Sequence, residues 1–75
     1  MIILNKKGNI LADCASIYIA PIPDKADTER IYCFQLTGVT TTGKPITIGK
    51  YPTEAEAKKV IDYIANESGG VIRIQ

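Results

Sequence analysis

The side chains that could carry chemistry fall into three groups: acids crowded into PIPDKADTER, two cysteines, and lysines at turns near tyrosines. Asp24, Asp27 and Glu29 stand close enough in sequence to touch a cation, but Asp24-Lys25-Ala26-Asp27 departs from calcium-loop spacing, so a solvated loop is the expectation. Glu54, Glu56 and Asp62 share a helical stretch and read as capping and solubility charges, not as a paired acid and base. The chain has no histidine, which removes the commonest general base and metal ligand along with Ser-His and Cys-His nucleophile pairs. Cys14 and Cys33 are too few for a disulfide framework and read as small buried hydrophobes, with a disulfide between them as the alternative. The glycines form neither a phosphate loop nor a dinucleotide fingerprint. No catalytic residue, cofactor or metal is therefore expected, and the residues point away from an enzyme.

Binding is the remaining class. Lys6, Lys7, Lys44 and Lys50 lie at turns, near Tyr18 and Tyr51, and small β-folds hold single-stranded nucleic acid through lysines set around stacking aromatics. Against this, nine basic and eight acidic side chains leave a net charge of +1, without the basic excess that makes nucleic acid or an anionic membrane the default partner. Nucleic acid is thus the alternative reading, behind contact with protein.

The element that must position everything else is the stretch Thr53 to Gly70. Thr53-Glu54-Ala55-Glu56 has the form of a capping box, with acids where the helix dipole is positive. Ala57, Val60, Ile61, Ile64 and Ala65 then recur at one-face helical spacing, so Val60, Ile61 and Ile64 are expected as core anchors. Glu54 and Lys58 are placed for an i, i+4 pair, Tyr63 sits at the margin of the apolar stripe, and Gly69-Gly70 is expected to end the helix with left-handed backbone.

Around the helix the pattern is of strands. Met1 to Leu4 and Ile10 to Cys14 flank the turn Asn5-Lys6-Lys7-Gly8-Asn9, with Gly8 at a positive φ. Ala15-Ser16 makes a joint or bulge, Ile17 to Ala20 is a third strand stopped by Pro21, and Pro21 to Arg30 is a surface loop. Ile31 to Val39 is the longest strand, with Tyr32, Phe34 and Leu36 expected toward the helix. Pro45 opens a strand leading to Tyr51, and Val71 to Gln75 closes the chain. Residues 1–75 are read as one α+β domain. The expected fold is a curved antiparallel β-meander of five to six short strands with one helix packed on one face, in the order βββββαβ.

One helix covers one face, yet Met1-Ile2-Ile3-Leu4 is apolar on both faces, and Ile31 and Cys33 point away from Phe34. Either the sheet curls around its own interior or a second copy covers it, and a homodimer is the favoured reading. Ile3, Ile31, Cys33 and Tyr63 are the candidate partner surface, for the second copy or an unidentified protein. A fold of 75 residues is marginal on its own, which makes self-association a reasonable source of stability. With no apolar run of about 18 residues and no signal-peptide pattern at the start, a soluble cytoplasmic protein without membrane contact is expected.

The segment ITIGKYPTEAEAKKVIDYIA resembles a strand-then-helix signature of small uncharacterised proteins of bacteria and their phages, carried here by Gly49, Tyr51, Thr53, Glu54, Ala57, Val60, Ile61 and Ile64. The opening MIILNKKGNILADCASIYI is similar to their N-terminal hairpin and third strand, so the resemblance covers about half the chain. Some of those proteins look like reduced pleckstrin-homology-like sheets closed by a C-terminal helix, and Val71 to Gln75 goes beyond that pattern. The resemblance implies a fold and no activity.

Overall fold

A computed structural model of the chain describes residues 1–67 and 70–74. Four strands, β1 (Ile2–Leu4), β2 (Leu11–Pro23), β3 (Ile31–Thr40) and β4 (Pro45–Tyr51), precede the helix α1 (Glu54–Asn66), and β5 (Val71–Arg73) follows it. They form one five-stranded sheet in the order β4-β3-β2-β1-β5. Every neighbour pair is antiparallel except β1 with β5, which is parallel. This is the expected meander with one added edge, because a strand that returns after a helix can join the sheet parallel to its neighbour.

The expected second and third strands are one strand, β2, which shifts register between Cys14 and Ser16. Ala15 is the extra residue of a β-bulge, and a bulge bends a strand without ending it. Pro21 does not stop β2 either. Pro21 and Pro23 pair with Phe34 and Ile31, while β1 flanks β2 only over Leu11 to Asp13. Beyond Cys14, whose amide donates to the Met1 carbonyl, that side of β2 is an open edge, where no ladder bond is owed and a proline costs little. The loop shrinks to residues 24–30.

The sheet curls. Lys6, just past β1, donates its backbone amide to the Ile48 carbonyl of β4 at 2.7 Å, drawing the two sides of the meander together. The concave side is the core: Ile3, Cys14, Leu36, Ile48, Tyr51, Ile72 and Ile74 lie there with Ala57 and Ile64 of the helix. The helix α1 lies against β2, β3 and β4 on this side and connects β4 to β5, the opposite edges of the sheet. The helix and the curl cover the same, concave face, and Ile2, Leu11 and Val71 on the opposite face of β1, β2 and β5 stay exposed. Gly38 belongs to this interior, where a Cβ would stand 2.8 Å from Cys14 Sγ and 3.0 Å from Ile48 Cδ1.

The helix starts as expected, with Thr53 Oγ1 accepting from the Glu56 amide at 3.2 Å and Glu54 paired to Lys58 at 3.1 Å. It ends earlier. Glu67 caps it in extended conformation, its amide shared between the Tyr63 and Ile64 carbonyls, so no left-handed residue is needed. Gly70, at φ +73, serves the turn into β5, and Gly69 lies outside the described residues, as does Gln75 of the last strand. Ala57 and Ile64 are the buried anchors, while Val60 and Ile61 are half-buried against the core. Tyr32 does not face the helix and is 70% exposed. Thirteen helical residues reach about 20 Å, whereas the molecule is 41 Å long because the β2–β3 hairpin projects past the helix as an arm.

Candidate functional site

The cysteines part company. Cys14 pairs with Thr40 and Cys33 with Ile22, seven residues apart along β3, or about 23 Å at strand rise, so no disulfide joins them. Both are free and buried. Burial raises the Cys14 thiol above its ordinary value, with the N-terminal ammonium lowering it and Asp13 raising it by smaller amounts. A protonated, covered thiol is a poor nucleophile. Asp24 and Asp27 spend a carboxylate oxygen each on loop amides, of Ala26 at 2.9 Å and Glu29 at 3.1 Å, as residues of ordinary turns do.

The candidate partner residues do not share a surface. Ile3 is fully buried in the concave core and Cys33 is 7% exposed, so neither presents itself to a partner. Ile3 is apolar because it fills the interior with Ala12 and Ile72, its register partners on either side. Ile31 and Tyr63, both partly exposed, lie on the arm and on the helix.

The exposed apolar surface is elsewhere, on the convex face of β2, β1 and β5. Ile2 stands between Asp13 and Val71, and Leu4 between Leu11 and Arg73. Register partners share a face, and this face is opposite to that of Ile3. Ile2, Leu11 and Val71 are 41%, 61% and 48% exposed, with Met1 at 48% beside them. Sequence reasoning missed the patch because it chose the wrong member of the pair Ile2 and Ile3: alternation says that they face opposite ways, and only the curl says which way is out.

The lysines divide as well. Gly8 at φ +75 turns the β1–β2 loop, and buried Asn5 organises it by accepting from the amides of Asn9 and Ile10, each at 3.0 Å, and donating to Asn9 Oδ1 at 2.9 Å. This loop stands beside β4 and encloses a cleft of about 380 Å³ between Lys6, Lys7, Thr47 and Lys50. A second cleft of about 460 Å³ opens along the arm between Lys50, Lys25, Cys33 and Tyr32, with Asp24 at its rim. Lys50 borders both. Lys44 lies apart, in the β3–β4 turn, where its amide donates to Thr40 Oγ1.

Tyr51 is not an exposed stacking ring. It is 6% exposed, packed over Gly49, where a Cβ would stand 2.9 Å from its hydroxyl oxygen, and roofed by the Lys6 ammonium 4.6 Å from the ring centre. Its hydroxyl is buried without a hydrogen-bond partner among the described residues, and burial raises its pKa above the ordinary tyrosine value. Tyr18, 47% exposed, shares a convex row with Thr37 and Thr47.

Among the described residues, no helix is long and apolar enough to cross a membrane. In comparison with known proteins, the chain matches no family model, no curated protein and no solved structure.

Proposed function

We propose that this chain is a non-enzymatic contact protein that works by pairing with a second copy of itself through the convex face of β2, β1 and β5. The observation that carries the reading is the cross-strand grid of Leu11, Leu4 and Arg73 in one row and Asp13, Ile2 and Val71 in the next, with Leu11, Ile2 and Val71 exposed. Isolated apolar side chains on a surface need no explanation, but a block of them across three strands does.

The charges select a copy of the same surface as the occupant. Asp13 and Arg73 stand at diagonally opposite corners, and Leu11 and Val71 at the other two. A two-fold axis laid in the interface along the Leu11–Val71 diagonal brings each Asp13 to the partner's Arg73, and each Leu11 and Val71 to its own counterpart. That is an isologous contact in which the two sheets cross steeply, as in orthogonal packing. Asp13 already accepts from the Met1 ammonium at 3.0 Å through Oδ1, which leaves Oδ2 for the arginine.

The grid measures roughly 14 by 13 Å from strand spacing and rise, well under the approximately 800 Å² per partner of a tight complex, so pairing is expected to be weak and to grow with concentration. Sedimentation equilibrium over a series from micromolar to millimolar concentration should show dimer. Leu11→Asp, which sets two like charges together on the axis at a position the monomer leaves exposed, should abolish the dimer with the melting temperature preserved. A wild-type chain that stays monomeric throughout the series, or a Leu11→Asp variant that dimerises as well as wild type, overturns the reading.

A further inference from the structure

We infer that the two clefts joined at Lys50 form a track for the phosphodiester backbone of single-stranded nucleic acid. The near-neutral net charge conceals how the charges are distributed. Glu54, Glu56, Asp62 and Glu67 belong to the helix and its cap, and Asp24, Asp27 and Glu29 to the tip of the arm. The cleft beside the β1–β2 loop, in contrast, is bordered by Lys6, Lys7 and Lys50 with no carboxylate in its lining. Among the described residues the ion pairs are Met1 with Asp13 and Lys58 with Glu54, so these three ammonium groups have no internal partner. Like charges gathered around one concavity raise the local concentration of an anion.

The lysines are also held. The backbone of Lys6 is fixed by its bond to Ile48, and its ammonium is steadied over the Tyr51 ring, which limits the rotamer freedom that a free surface lysine would lose on binding. Asn5 holds the loop that carries Lys7. Lys50 is on β4, opposite Gln35, and hands the track to the second cleft, where Asp24 in the lining offsets one cation, Lys25 offers another and Tyr32 brings a ring 70% exposed. Two consecutive concavities with lysines along both and an aromatic ring at the far one suit a chain of phosphates bearing bases better than a single small anion.

The proposal is independent of self-association. Its test is the fluorescence anisotropy of a labelled oligothymidylate of about 12 nucleotides, within the usual site size of small β-folds. Wild type should bind at low salt. Lys50→Ala should weaken binding at least about fivefold and lower the slope of log K against log salt by roughly 0.7, the signature of one lost contact to a single strand. Tyr32→Ala should weaken it by roughly fivefold or more through lost stacking. Lys59→Ala, on the exposed side of the helix, should leave both affinity and slope unchanged. Absence of binding at low salt overturns the proposal. So does an equal loss in Lys59→Ala, which would mean diffuse attraction, or equal competition by pyrophosphate at the same phosphate concentration, which would mean a small-anion site. Leu11→Asp, the variant that dissolves the dimer, should bind the oligonucleotide through the same residues.

Discussion

Tyr51 concentrates the physical tension of this molecule in one side chain. Its ring fills the concave core over Gly49, yet its hydroxyl is buried with no partner among the described residues, and an unpaired buried polar group costs about 1–3 kcal/mol. Tyr51→Phe should therefore raise the unfolding free energy by about 1 kcal/mol at neutral pH. Burial also keeps the phenol protonated, so the folded chain binds that proton more tightly than the unfolded one. The fold should be at full strength below the ordinary tyrosine pKa of about 10 and lose stability as the pH rises past it. Urea titrations at pH 7 and at about pH 10.5 check both points: the phenylalanine variant should be the more stable and decline less, and a variant weaker than wild type would mean that the hydroxyl has a partner. Little of this was legible in the residues. A tyrosine before a capped helix reads equally well as exposed or buried, and only the closure of the sheet through Lys6 decides it. Asn5 was read as one of several turn residues, although its side chain makes three of the bonds that hold the turn.

At the scale of the element, the helix was the most legible part, because its cap and stripe are local features. Thr53, Glu54 and Lys58 make the contacts that their spacing implies. The ranking of its anchors was not legible, since a stripe on a helical wheel does not say where the surface beneath is deepest. Here the depth lies under Ala57 and Ile64. Ile64→Ala should cost about 2–4 kcal/mol, against about 1 kcal/mol for Thr53→Ala, as measured by the denaturant midpoint. A smaller loss at Ile64 than at Thr53 would mean that capping, and not burial, holds the helix on the sheet. The strands were legible as to order, and their number to within one, since the expected second and third strands are the single β2. Their ends were not: β2 passes through a bulge and two prolines because it is an open edge there, a property of its neighbours and not of its own residues.

For the molecule as a whole, the division between core and arm has a consequence for stability. A compact chain of this length has a radius of gyration of about 11 Å, and this one has 12.6 Å because the β2–β3 hairpin runs out beyond the helix. The main core cluster draws on β1, Cys14, Leu36, β4, α1 and β5, and from the hairpin past Ile19 and Phe34 only Cys33 is buried among the described hydrophobic residues, outside that cluster. The arm should behave as a weakly coupled unit, opening locally without unfolding the rest. Replacing the loop 24–30 by Asn-Gly tests this. Shortening the loop from seven residues to two lowers the closure cost by about 1 kcal/mol, and Asn-Gly is the preferred two-residue hairpin turn. The shortened chain should keep its stability within about 1 kcal/mol of wild type and show slower amide exchange at Ile22 and Cys33, with little change at Leu36 and Ile48. Global unfolding of that variant would place the arm inside the cooperative core. Retained stability together with weakened oligothymidylate binding would separate the two parts by role: the curled sheet and its helix for folding, the arm, with Lys25 and Tyr32, for extending the basic track.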